Sequence, residues 1–257
     1  MVIACARRLQ ALAVRARLQA LLCVLACASV SYAADTAPPL SGRALLDALR
    51  HGGYVLYFRH TSTDFGQSDE AMTSFDDCAK QRNLTEQGRA EARAIGEAIR
   101  RLEIPIGDVL ASPFCRTRET AQLIFGRATV ESAVRGGPAD NANDRYAGLR
   151  KILSTPVAGN RNTAIASHGN PFRALTEAPY LAEGEVAVIE PLGARGFRIV
   201  ARIPKDGWDS LARSASATSG AAAGERLFDA EADVAPRLAA AGTHLLRVVR
   251  PFAGQPG

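Results

Sequence analysis

The stretch YVLYFRH, residues 54–60, constrains the fold more than any other. Its apolar residues follow one another without alternation, so neither face of the strand they form is meant for water. Such a strand belongs at the centre of a parallel sheet covered by helices on both sides. The run ends without a spacer in Arg59 and His60, a cation and an imidazole. In a parallel sheet that end of the strand opens on the crevice where ligands bind.

The rest of the chain repeats the pattern. Ser41 is placed to cap a short helix that stops at Gly52 and Gly53. Residues 61–84 are polar and irregular and predict a long loop. Thr85 caps the next helix, where Ala92, Ile95, Ile99 and Leu102 recur at helical spacing. GDVLA (107–111) predicts a strand, a helix runs from near Cys115 to Phe125, and ATVE (128–131) predicts a short strand. A Gly/Pro/Asn loop, a helix over 145–153 and the strand NTAIAS (162–167) follow. EVAVIEP and GFRIVARIP alternate as a closing hairpin. This order predicts a three-layer α/β/α sandwich with a mostly parallel central sheet over residues 41–211. Residues 212–257 form an Ala-rich extension whose SASATSGAAAG segment reads as a flexible linker, and no function is assigned to it.

The formal net charge of +5 suggests a nucleic-acid partner until its location is considered. Arg7, Arg8, Arg15 and Arg17 lie in the first 33 residues, which carry no acid; the remainder holds 27 basic against 26 acidic residues. A near-neutral body gives no reason to expect nucleic-acid binding. The basic start, the apolar LQALLCVLACASV and the small residues Ser31 and Ala33 read as a secretory signal peptide cut after Ala33, with 34–40 as a linker. The apolar core is too short for a membrane span, so the expectation is a periplasmic or secreted protein with no stable membrane association. An uncleaved anchor and lipidation at Cys27 are the alternatives. Removal of the signal leaves Cys78 and Cys115, which in an exported chain suggest one disulfide.

Two further strands end in the same manner as the first: one in Ser112-Pro113 ahead of Arg116, the other in Ser167-His168-Gly169. At one sheet edge these tips bring together two arginines, two histidines and the start of a helix, whose free N–H groups favour anions. Arginine forks match the oxygens of a phosphate monoester, and several converging cations suit phosphate better than a carboxylate. The same cations oppose protonation of His60 and keep it a neutral nucleophile.

FRHTSTD, SPFCRTRETA and ASHGNP resemble, in order, the three motif blocks of the histidine phosphatase superfamily, which includes phosphoglycerate mutases and many acid phosphatases. The resemblance covers roughly residues 53–203 and implies a phosphoglycerate mutase-like fold. It makes His60 the nucleophile that becomes phosphorylated, with Arg59, Arg116 and His168 holding the phosphoryl oxygens. Arg116 falls at the family's position, four residues after Ser112, which leaves Arg118 a surface or salt-bridging role. The implied activity is a phosphomonoester hydrolase without cofactor or metal, acting on a small phosphorylated substrate.

The chain departs from the family at Thr61, where glycine is usual, which narrows the pocket. Gly169 after the second histidine argues against the branch that takes its proton donor from a His-Asp pair. Glu131, at the end of the ATVE strand, is then the candidate acid, with Asp144, Glu183 and Glu185 as rivals. If no acid serves, the alternative is a non-catalytic phosphate-binding module of the same fold. A metal-dependent phosphoesterase has no supporting ligand spacing. His51 and His244 are assigned structural roles.

Overall fold

The first strand buries every residue from Val55 to Phe58, with Leu56 and Phe58 in one apolar cluster and Val55 and Tyr57 in another. A computed structural model describes residues 38–136 and 144–214. The expected signal peptide, its cleavage site and residues 215–257 lie outside the described residues.

Helix α1 (Gly42–His51) precedes β1 (Val55–Arg59); α2 (Glu86–Arg101), β2 (Ile106–Ala111), α3 (Cys115–Phe125) and β3 (Thr129–Val130) follow. Then come α4 (Ala147–Ser154), β4 (Asn162–Ser167), α5 (Gly169–Thr176), β5 (Val186–Pro191) and β6 (Phe197–Ile203). The strands form one sheet in the order β3-β2-β4-β1-β5-β6. The first four are parallel, and β5 and β6 extend the β1 edge in antiparallel fashion. The sandwich read from the sequence is therefore present, closing hairpin included.

Each face of the sheet has its own core. Leu45, Leu46 and Leu49 of α1, Ala92, Ile95 and Ile99 of α2, and Ile124 of α3 pack on Leu56, Phe58 and Val188. On the other face Leu149 and Leu153 of α4 and Phe172 of α5 pack on Tyr57 and Ile165, with the Tyr57 and Phe172 rings 5.5 Å apart. Burying side chains of this size stabilises the fold by about 1.5–3 kcal/mol each.

Some elements differ from expectation. Only Thr129 and Val130 of ATVE pair as strand, and both are exposed at the sheet edge. Ser41 sits at the N-cap of α1 but makes no side-chain cap bond, whereas Thr85 caps α2 by accepting from the Gly88 N–H at 2.9 Å. Residues 208–214 are helical, with Trp208 and Leu211 buried, so this helix runs past the expected boundary at 211.

The sheet end away from the site is held by Asn162. Its amide donates to Leu49 O at 2.7 Å and Pro105 O at 3.0 Å and accepts from the Tyr54 N–H at 3.2 Å. One buried side chain thus joins α1, the loop before β2 and the starts of β1 and β4.

Candidate active site

Parallel registry sets the site. Arg59 lies beside Ser167 and Ala111 beside Ala166, so the tips of β1, β4 and β2 end side by side. The residues that follow them, His60, His168 and Ser112, converge there. The His60 and His168 rings are 5.6 Å apart, and Ser112 Oγ lies 2.8 Å from Nε2 of His168. Helices α3 and α5 begin at the same edge, and neither carries a side-chain N-cap bond. Both positive ends therefore add to the field there. Helix α5 was not foreseen in the sequence, although it starts directly after His168. A Cβ at Gly169 would meet the ring of Tyr180, an exposed side chain that would have to move aside.

His60 is 2% exposed. Its Nδ1 lies 3.0 Å from the Thr61 carbonyl oxygen. A carbonyl only accepts, so the neutral ring carries its proton on Nδ1 and keeps its lone pair on Nε2. Burial pulls the pKa of His60 from 6.5 to about 3, with further lowering from Arg116, Arg59 and Arg82. The charge repulsion expected at His60 acts in the same direction, but burial is the larger cause. His168 is lowered in the same direction, again by burial first, then by Arg116, His60, Arg135 and Arg59.

Arg59 is anchored by Leu181 O at 2.8 Å and Glu183 Oε1 at 3.4 Å, and its guanidinium lies over the Tyr180 ring. Arg116, with its side chain 6% exposed, donates to Asp69 Oδ1 at 2.9 Å and Arg82 O at 3.2 Å. The Nε–H groups of Arg59, Arg82 and Arg116 are buried without a hydrogen-bond partner among the described residues. Buried unsatisfied donors are rare and call for an explanation. Three around one imidazole indicate an anion with several acceptor oxygens.

Two of these arginines escaped the sequence reading. Arg82 lies between Cys78 and the helix cap Thr85; Arg135 stacks against the Phe75 and Phe114 rings. The signal for Arg82 was the cysteine pair. Cys78 and Cys115 form a disulfide that fastens the loop to the start of α3. The buried Gln81 side chain reinforces it by accepting from the Cys115 N–H and donating to Phe75 O. Arg118 has the salt-bridging role expected of it, donating to Asp76 and Phe75 O. Thr61 is fully buried and turned toward Thr120 of α3, which accepts its N–H at 3.4 Å.

The carboxylates separate by position. Glu131 is not brought into contact with His60 or His168. Its Oε1 accepts from the Ala133 N–H, and it lines a cavity of about 670 Å³ with Asp108, Lys151 and Arg161, apart from the two histidines. Asp144 pairs with Arg150 and Glu185 with Arg202. Glu183 lies beside His60: its Oε1 is 3.8 Å from Nδ1 of His60 and accepts from Thr63 Oγ1 at 2.6 Å, while its Oε2 accepts from the Thr63 N–H. Among the described residues no group of three or more His, Cys, Asp or Glu is arranged to hold a metal, and no helix is long and apolar enough to cross a membrane.

Residues 55–152 match the model of the histidine phosphatase superfamily (branch 1). No curated protein matches the chain. Among solved structures, the chain is similar to a SixA protein from Agrobacterium tumefaciens at 16% identity and TM-score 0.41, over 59% of this chain and 98% of that one. It is similar to a protein histidine phosphatase SixA complexed with tungstate at 17% identity and TM-score 0.42, over 59% and 97%. A mycobacterial glucosyl-3-phosphoglycerate phosphatase aligns at 15% identity and TM-score 0.41, over 58% and 97%. The segment that matches the histidine phosphatase superfamily model carries Arg59, His60 and Arg116.

Proposed function

We propose that the chain is a metal-independent phosphomonoester hydrolase of the cell envelope that works through a phosphohistidine at His60. One observation carries the reading: a buried neutral imidazole with its lone pair on Nε2, set among three guanidinium groups whose Nε–H donors have no partner among the described residues. Nε2 attacks phosphorus, and the N–P bond forms as the ester P–O bond breaks. Water then attacks the phosphohistidine, the N–P bond breaks, and phosphate leaves. Arg59, Arg116 and Arg82 balance the charge on the equatorial oxygens, where one such preorganised donor is worth about 3–4 kcal/mol. Ser112 Oγ hydrogen-bonds Nε2 of His168; in the tautomer where Ser112 donates, the His168 proton sits on Nδ1 and serves a phosphoryl oxygen.

An envelope location is supported by the pattern of residues 1–33 and by the Cys78–Cys115 disulfide, which suits an oxidising compartment. The substrate class is a small phosphomonoester. The test is phosphate release from an aryl phosphate in excess EDTA. Hydrolysis that persists with the chelator and disappears in His60→Ala supports the reading. Activity lost to EDTA and restored by a divalent cation contradicts it.

The placement of Glu131 favours a second reading, a non-catalytic phosphate-binding module. Tight vanadate binding with no turnover of any phosphomonoester is its signature.

A further inference from the structure

Breaking the ester bond requires a proton on the leaving oxygen, and the carboxylate expected to supply it, Glu131, is directed elsewhere. Glu183 is close to the nucleophile but lies at its Nδ1 edge, and its two oxygens are held by Thr63 and Arg59. An in-line displacement puts the leaving group on the far side of phosphorus from Nε2. The loop of residues 61–84 borders the site on the side of Arg116, through Asp69 and Arg82.

One carboxylate stands there in contact with the site. Asp69 Oδ1 is 2.9 Å from Arg116 Nη1 and accepts the Arg82 N–H at 2.9 Å, and the Asp69 side chain is 32% exposed. Its neighbour Glu70 is exposed, with its N–H donated to Ser68 Oγ. We infer that Asp69 is the proton donor to the leaving group, a step that rests on the phosphohistidine reading of the same site. Arg116 is then shared between Asp69 and the incoming phosphoryl group, which sets the Asp69 carboxyl beside the reacting phosphorus. The proton passes from Asp69 to the ester oxygen as the P–O bond breaks and the N–P bond forms. In the second step the Asp69 carboxylate takes a proton from the water that attacks phosphohistidine, which restores the starting state.

The role is read by dependence on the leaving group. A 2,4-dinitrophenyl phosphate needs no proton to depart, whereas an alkyl phosphate does. For Asp69→Asn, kcat/KM for the alkyl phosphate, which reports the steps up to departure of the leaving group, is expected to fall roughly 100-fold or more while kcat/KM for the dinitrophenyl ester changes less than about threefold. A near-unchanged kcat/KM on the activated ester also shows that the variant is folded. Equal losses on both substrates, no loss on either, or the same selective loss in Glu131→Gln each overturn the assignment. A wild-type protein inert toward both overturns the hydrolase reading itself, and a wild type active only on the activated ester overturns Asp69 alone.

Discussion

Nδ1 of His60 and the carbonyl oxygen of Thr61 lie 3.0 Å apart, so the proton of the neutral ring is held on one edge and its lone pair is presented on the other. Burial makes the same imidazole costly to charge. Its pKa of about 3 in the fold stands against an ordinary 6.5. Between these values the unfolded chain binds a proton that the folded chain refuses. Stability from this group is therefore complete above pH 6.5 and is lost as the pH falls toward 3, by about 1.4 kcal/mol per pH unit. His168 acts in the same direction. Urea unfolding at a series of pH values from 7 to 4 is expected to show a shallower slope for His60→Asn than for the wild type. Parallel slopes would refute the argument.

Arg82 is expected to bind the phosphoryl group alongside Arg59 and Arg116, because its buried Nε–H has no partner among the described residues and its charge acts on His60. Arg82→Ala should weaken inhibition by vanadate roughly 10-fold, the size of one charged hydrogen bond. Arg118→Ala, which removes a bridge to Asp76, should leave it unchanged.

The Cys78–Cys115 bond closes a loop with a sequence separation of 37 and carries Arg82 and Asp69 toward Arg116. Cys78→Ser with Cys115→Ser should cost about 3–4 kcal/mol of stability. It should also raise KM for a phosphomonoester, because the loop supplies part of the phosphate site. A lower Tm with an unchanged KM would show that the loop holds its place without the bond.

Asn162 tests the separation of fold from site. It binds three backbone groups at the sheet end opposite His60. Asn162→Ala strands those groups and should cost about 2–4 kcal/mol. At temperatures where the variant remains folded, kcat and KM should match the wild type. A loss of kcat in the folded variant would tie the two ends together.

The sheet was legible in the sequence because its central strands are uninterrupted apolar runs, and burial on both faces leaves few alternatives. The tips were legible for the same reason. Arg59, His60, Ser112 and His168 each follow a strand whose registry the sheet imposes. What was not legible lies in the loops. Arg82, Asp69 and Arg135 reach the site through paths set by a disulfide, the Gln81 side chain and stacking on Phe75 and Phe114, none of which has a periodic signature. The direction of Glu131 depends on its hydrogen bond to Ala133, two residues on, where the short β3 strand gives way to a 3-10 turn.

The central claim is a covalent intermediate on one nitrogen of His60. The most direct measurement is rapid mixing with a phosphomonoester, a quench in base, where phosphohistidine survives, and mapping of the phosphoryl group by peptide mass spectrometry. The account predicts phosphate on the peptide carrying His60 within a single turnover, and neither phosphoenzyme nor turnover in His60→Ala. Full turnover in that variant, or a phosphoryl group mapped to another residue, would contradict it.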